Sequence, residues 1–368
     1  MGRKVMIATG GTGGHVYPAV ALAQKIQDEW PDAEVLFVGG GLDSNRYFDR
    51  GVFPWRSVSC GTFFGLSPIR MIKSCFKIAC GVGQSCKIIR DFRPDVVVGF
   101  GSYYCFPPLV AAKMMSVPFL LHEANTIPGK VTKALSNWAA VTGVHFPRTS
   151  SYLKGSSVEV GMPLRRGYSK DSCVDKHAAG YFGLSDDLLT LLVFGGSQGA
   201  KVINDGVMKA FAEMKRLDEL QVVHIAGDEA EAAKLREQYG KLNLRACVKA
   251  YETNMQHAWQ IADVVVCRSG AGAVAELLEF EVPAILIPFA RAADDHQTFN
   301  ADFIVDTVGG GVKVDERDIA SGGIRKALER FLDEDGKALN EKKHSMNEYK
   351  RQSRTRDMFS LVAEQLGK

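Results

Sequence analysis

The chain has 368 residues, 46% of them hydrophobic and 24% charged, with a formal net charge of +3. That length suits two domains of roughly 150 residues, each with its own core, and the charge is too small to point to nucleic acid. No apolar run reaches the roughly 18–20 residues of a membrane span, and no secretory leader precedes the first strand pattern, so a soluble cytosolic protein is expected.

Strand and helix patterns alternate from end to end, as in doubly wound parallel sheets. Residues 4–8 read as a buried strand running straight into Thr9-Gly10-Gly11-Thr12-Gly13-Gly14-His15, after which 17–26 has helical periodicity. Four glycines in five positions specify a backbone that something approaches closely. The cluster is not a dinucleotide fingerprint, because Val16 stands at the third glycine of G-x-G-x-x-G, and no phosphate-binding lysine follows as in a P-loop. Further strands are expected at 34–39, 96–100, 119–122 and about 140–144. A break falls near 158–168, where glycine, proline and arginine cluster before a polar stretch.

The second half repeats the logic, with strands at 188–194, 221–226, 245–250, 262–266 and 284–288, and helices at 319–331 and 340–366. A further small-residue turn, Gly195-Gly196-Ser197-Gln198-Gly199-Ala200, follows its first strand. The most telling stretch is Cys267-Arg268-Ser269-Gly270-Ala271-Gly272-Ala273-Val274-Ala275-Glu276. A strand, a small-residue turn and a helix start present bare N–H groups to an anion, so a diphosphate can sit there without a metal. Glu276 lies one turn past Gly272 on the same helix face, where a carboxylate can accept both hydroxyls of a ribose. The next strand delivers Asp294, Asp295, His296 and Gln297 to the same rim, where open α/β sheets bind ligands.

The glycine cluster through Ala19, the run His122-Glu123-Ala124-Asn125, the Gly195–Ala200 turn and the Cys267–Gly270 turn with Glu276 together resemble the MurG family, within glycosyltransferase family 28. These are UDP-N-acetylglucosamine transferases that make lipid II at the cytoplasmic face of bacterial membranes. The likeness runs from about residue 4 to residue 310. It implies the GT-B fold: two Rossmann-like α/β domains facing across a cleft, an acceptor- and membrane-facing domain over 1–160, a linker over 161–185, a UDP-sugar domain over 186–340 and a helical tail over 341–368. It also implies Thr12, Gly13 and Gly14 in a loop over the donor diphosphate or acceptor pyrophosphate, and Asn125 and Gln297 facing N-acetylglucosamine hydroxyls. Arg165 and Ser197 become diphosphate contacts, and Ala271 to Glu276, with Gly272, Ala273, Val274 and Ala275, the helix start that holds phosphate and ribose. The residue types agree, since amides pair with sugar hydroxyls and arginine or serine suits phosphate oxygen.

Three positions depart from the family pattern. Ser102 stands at a glycine, Ala124 at a glutamine and Met162 at an asparagine, and the first two bear on the acceptor side. The implied chemistry is inverting displacement of UDP from the sugar C1 by the C4 hydroxyl of the muramoyl residue of lipid I. His15 is the candidate base, because imidazole titrates near neutral pH. Glu123 and Asp294 stand behind it, while His122 reads as a packed core histidine. No cofactor or metal is expected: the eight cysteines form no C-x-x-C pair, and Asp333-Glu334-Asp335 lies away from any strand end.

Membrane contact must come from the surface. Residues 61–66 form an apolar loop, and beyond it Ile69, Ile72 and Phe76 share one helical stripe while Arg70, Lys73 and Lys77 share another. That pattern suits an interfacial helix on anionic lipid, and with the resemblance it places the protein peripherally at the cytoplasmic face of the bacterial inner membrane. The competing readings are a related GT-B transferase acting on another lipid such as diacylglycerol, a nicotinamide-dependent oxidoreductase, which Val16 argues against, and a non-catalytic nucleotide-sugar-binding protein.

Overall fold

The structure is a computed structural model that describes residues 2–62, 68–171, 178–196, 199–215, 217–332, 336–353 and 356–367, with backbone alone at 68, 69 and 293. The chain separates into two compact units, Met1–Arg166 with Thr355–Lys368, and Gly167–Arg354.

The first unit holds seven parallel strands: β1 (Lys4–Ala8), β2 (Glu34–Gly39), β3 (Trp55–Ser57), β4 (Val96–Gly99), β5 (Phe119–Glu123), β6 (Val141–Val144) and β7 (Ser157–Glu159), in the spatial order β3-β2-β1-β4-β5-β6-β7. Side chains alternate across this sheet. Val5, Ile7, Val35, Phe37, Val96 and Val98 face helix Gly13–Glu29 and the closing helix Met358–Leu366. Met6, Ala8, Leu36, Val38 and Val97 face Ile89 and Leu109, from helices Pro68–Phe92 and Phe106–Met114. Both faces are covered, which is why these strands read as unbroken apolar runs.

The second unit has six parallel strands: β8 (Leu189–Phe194), β9 (Leu220–Ile225), β10 (Ala246–Lys249), β11 (Val264–Cys267), β12 (Ala284–Leu286) and β13 (Gly311–Lys313), in the order β10-β9-β8-β11-β12-β13. In both sheets the order reverses beside the unit's first strand. The crevice at such a switch point is where doubly wound sheets take ligands.

Three strands are missing from the sequence expectation: β3, β7 and β13. Each is a three-residue sheet edge without a sustained apolar run. The two site helices also begin earlier than their periodicity suggests, at Gly13 and Ala271, because small residues start them. The expected helix over 340–366 is two helices, Lys337–Gln352 and Met358–Leu366. The second belongs to the first unit, where Met358, Leu361 and Val362 are buried in the core. Among the described residues no helix is long and apolar enough to cross a membrane.

Candidate active site

In the first unit, Ala8 of β1 pairs in register with Gly99 of β4, so the turns leaving these two strands lie side by side at the switch point. Gly11 takes a left-handed φ of +85°, which glycine adopts without strain. A Cβ at Gly10 would lie 2.7 Å from Cβ of Tyr104 and 2.8 Å from the Gly40 carbonyl. The loop is thus closed against the neighbouring turn. Thr12 caps the helix through its backbone, accepting the amides of His15 and Val16, while its side chain makes no capping bond. The amides of Gly13 and Gly14 then have no intrahelical acceptor. Thr12 and Gly14 are exposed, and His15 is half-buried. Thr9 Oγ1 donates to the His15 carbonyl at 3.0 Å, and the imidazole lies beside Gly101. Arg165 sets its guanidinium 4.3 Å from the ring centroid of Tyr17, one turn into the same helix.

Glu123 ends β5 buried. Its Oε1 accepts the amide of Asn125 at 3.1 Å and its Oε2 the amide of Gly129 at 3.0 Å. With both oxygens bonded to backbone amides, Glu123 shapes the loop carrying Asn125. Thr149 Oγ1 donates to the carbonyls of Asn125 and Thr126 from the far side. His122 is buried against Phe100 and pushed down to about 3 by burial first and by His145 and His15 after it. It is a neutral core residue.

Ser102 holds φ +70° and ψ 155°, a conformation natural only to glycine. Serine here carries strain that glycine would not.

In the second unit, Phe194 of β8 pairs with Cys267 of β11, so the two small-residue turns again emerge together. Gly196 and Gly199 have φ of +84° and +70°, and a Cβ at Gly199 would meet Gly227 Cα at 3.0 Å. Ser197 lies outside the described residues, as do Asp333 to Asp335 and most of the apolar loop at 61–66. Gly270 caps helix Ala271–Phe280 without a side-chain bond, and Val274 is the first amide to reach its carbonyl. Ala271, Gly272 and Ala273 therefore offer three amides at the positive end of a helix dipole. Val274 and Ala275 pack into the core behind them.

Glu276 is half-exposed on that helix, and Trp259 Nε1 donates to its Oε2 at 2.6 Å. Trp259 is 1% exposed, edge-on to Phe194 and stacked on Phe280. The sequence gives no sign of this pairing, since a tryptophan in a helical apolar pattern reads only as core. Gln297 opens helix His296–Asp302. Its Oε1 accepts the Phe289 amide at 3.0 Å, and its carbonyl accepts Ser269 Oγ at 2.7 Å. Asp294 and Asp295 are exposed with φ of +51° and +53°. Among the described residues no group of three or more His, Cys, Asp or Glu is gathered to hold a metal ion.

Two parallel Rossmann-like units, each with its small-residue turns at a switch point, define a GT-B glycosyltransferase. A model of the glycosyltransferase family 28 N-terminal domain matches residues 5–144, and one of the family 28 C-terminal domain matches 190–357. The UDP-N-acetylglucosamine–N-acetylmuramyl-(pentapeptide) pyrophosphoryl-undecaprenol N-acetylglucosamine transferase of Protochlamydia amoebophila (strain UWE25) is 48% identical over 95% of this chain and 92% of its own length. The enzyme of the same name from Chlamydia felis (strain Fe/C-56) is 33% identical over 98% of each chain. The crystal structure of Acinetobacter baumannii MurG superposes with a TM-score of 0.77 at 24% identity over 99% of each chain, a likeness of fold. The chain belongs to this family of UDP-N-acetylglucosamine transferases.

Proposed function

We propose that the two groups of residues described above serve the family's reaction as donor and acceptor machinery. The chain is a hexosyltransferase that moves N-acetylglucosamine from UDP-N-acetylglucosamine to the muramoyl residue of lipid I, giving lipid II. The observation that carries the donor assignment is the Glu276 carboxylate, held by Trp259 one turn beyond three unsatisfied helix amides. The amides take diphosphate oxygens, and the carboxylate takes the ribose hydroxyls. Ser197 adds a hydroxyl and Arg165 a cation to the diphosphate. Gln297 donates from its NH2 to a sugar hydroxyl oxygen, and Asn125 meets the sugar from its loop.

The step breaks the bond between C1 and the UDP oxygen as the acceptor C4 oxygen bonds to C1 from the opposite face. The hydroxyl proton goes to His15, and the negative charge that develops on the leaving diphosphate is spread over helix amides and Arg165. Thr12, Gly13 and Gly14 close over phosphate oxygens. Glu123 supports Asn125, and Asp294 is the alternative base.

The enzyme works peripherally at the cytoplasmic face of the bacterial inner membrane. In helix Pro68–Phe92, Ile72 and Phe76 are 70% and 71% exposed, and Arg70, Lys73 and Lys77 are exposed around them, while Ser74 and Ile78 face the core. An apolar stripe turned to solvent among cations supports docking on anionic lipid. The deciding experiment is UDP release from UDP-N-acetylglucosamine with a lipid I analogue, with diacylglycerol and with neither. Release stimulated by lipid I alone is expected; stimulation by diacylglycerol alone, or UDP-sugar binding without turnover, overturns the assignment.

A further inference from the structure

We infer that Arg268 and Glu316 form a clamp that sets donor-sugar selectivity by fixing the Gln297 amide, without either side chain touching the sugar. The inference rests on Gln297 reading the donor sugar, and it adds two positioning residues behind that amide. Arg268 follows β11 and is 8% exposed. Its Nη1 donates to the carbonyls of Ile287 at 3.2 Å and Pro288 at 3.1 Å, and its Nη2 is ion-paired with Glu316 in helix Glu316–Ile319. The guanidinium carbon lies 5.2 Å from the ring centroid of Phe289, the next residue along. The amide of that same Phe289 then holds Gln297 Oε1.

Three consecutive backbone positions are therefore gripped, two by Arg268 and the third by the sugar-reading side chain. A second path closes the ring. Ser269, beside Arg268, donates to the Gln297 carbonyl, and Asn300 Nδ2 donates to the Ser269 carbonyl at 3.0 Å. Because Oε1 is engaged, the amide cannot flip without leaving the Phe289 N–H unpaired, and Gln297 presents a donor in one direction only. Discrimination between C4 epimers needs that fixed direction, since the sugars differ only in where one hydroxyl points. Lysine at 268 lacks the planar fork that reaches two carbonyls and a carboxylate together. Glutamine at 316 removes the charge that holds the fork in place.

The test is the ratio of kcat/KM for UDP-N-acetylglucosamine over UDP-N-acetylgalactosamine in the intact protein, measured with the inhibition constant of UDP. Glu316→Gln and Arg268→Lys are expected to lower the ratio by about fivefold or more. UDP inhibition should stay within about twofold of wild type, because the proposed ribose and diphosphate contacts are made by Glu276, the helix amides, Ser197 and Arg165. Glu316→Asp, which keeps a carboxylate, should recover most of the ratio. A merely structural role lowers both sugars in proportion, and that result overturns the clamp. Should Arg268→Lys fail to fold, Glu316→Gln, on a partly exposed side chain, carries the test. Gln297→Ala runs in parallel. If it loses the ratio and Glu316→Gln does not, the clamp alone falls; if the ratio survives Gln297→Ala, the sugar-reading role of Gln297 falls and the clamp with it.

Discussion

The indole N–H of Trp259 reaches the Glu276 carboxylate at 2.6 Å from a buried position between Phe194 and Phe280. A buried indole needs an acceptor, and the Glu276 carboxylate is that acceptor. Removing the carboxylate therefore takes away the proposed ribose contact and this acceptor of the indole together.

Glu276→Ala should weaken UDP binding by about 1.5–3 kcal/mol, the range for charge-assisted hydrogen bonds. Trp259→Phe removes the indole N–H together with part of the buried ring, and loss of the hydrogen bond that holds Glu276 should weaken UDP binding by about 0.5–1.5 kcal/mol. Calorimetric titration with UDP measures both. A 2′,3′-dideoxy analogue should bind the Glu276 variant about as well as UDP does; wild type binding both nucleotides equally would remove Glu276 from the ribose.

His15→Ala should lower turnover by about 10²–10⁴, the usual contribution of a positioned base. Inhibition by UDP should change little. If His15 takes the proton, the acidic limb of the pH–rate profile disappears in the variant. A loss below tenfold with that limb intact makes His15 a positioning residue and turns attention to Asp294.

The strained backbone at Ser102 gives a test of opposite signs at adjacent residues. Ser102→Gly should raise stability by about 1 kcal/mol, since φ of +70° costs serine of order 1–3 kcal/mol. Gly101→Ala, where φ is +71°, should lower it by about 1–2 kcal/mol. It would also set a methyl 3.4 Å from His15 Cε1 and Nδ1. Urea unfolding of each variant reads the signs, and a destabilising Ser102→Gly would mean that the serine side chain outweighs its backbone cost.

Stability should fall with acidification through buried histidines. His122 and His224 are both pushed down to about 3, chiefly by burial. His224 is enclosed by Tyr239 OH at Nδ1 and Asn204 Oδ1 at Nε2. Their folded values lie below the ordinary histidine value near 6.5. The unfolded chain therefore binds more protons as pH drops, and the stability each contributes is present above about 6.5 and is lost between there and about 3. His224→Gln should flatten the slope of unfolding free energy against pH across that window. An unchanged slope would show that folding does not hold His224 neutral across that window.

At the membrane, Ile72→Ser with Phe76→Ser should reduce binding to anionic vesicles by at least about tenfold, since burying such side chains is worth roughly 1.5–3 kcal/mol each. Turnover on a water-soluble lipid I analogue should be unaffected. Vesicle sedimentation separates the two effects, and unchanged binding would assign the lipid contact to another surface.

Much of this was legible in the residues themselves. Parallel strands covered on both faces read as apolar runs, so ten of them stand out from the chain. Small-residue turns directly after such runs marked the places where backbone amides are left bare, and Glu276 could be read one turn further on because helix periodicity is local. The resemblance added roles for Asn125, Arg165, Ser197 and Gln297 that residue type alone does not assign.

What tertiary structure decided is what depends on contacts between distant parts of the chain. The edge strands β3, β7 and β13 exist because a neighbour supplies their hydrogen bonds, so three residues with a single large apolar side chain among them suffice. The pairing of Ala8 with Gly99 in one unit, and of Phe194 with Cys267 in the other, brings separate turns together at the switch point of each sheet. The capture of both Glu123 oxygens by backbone amides ties that residue to the loop carrying Asn125. The bond from the Phe289 amide to Gln297 Oε1 fixes which way that side-chain amide is turned. Local pattern reports which face a residue turns inward; which partner waits there is settled when the sheets assemble.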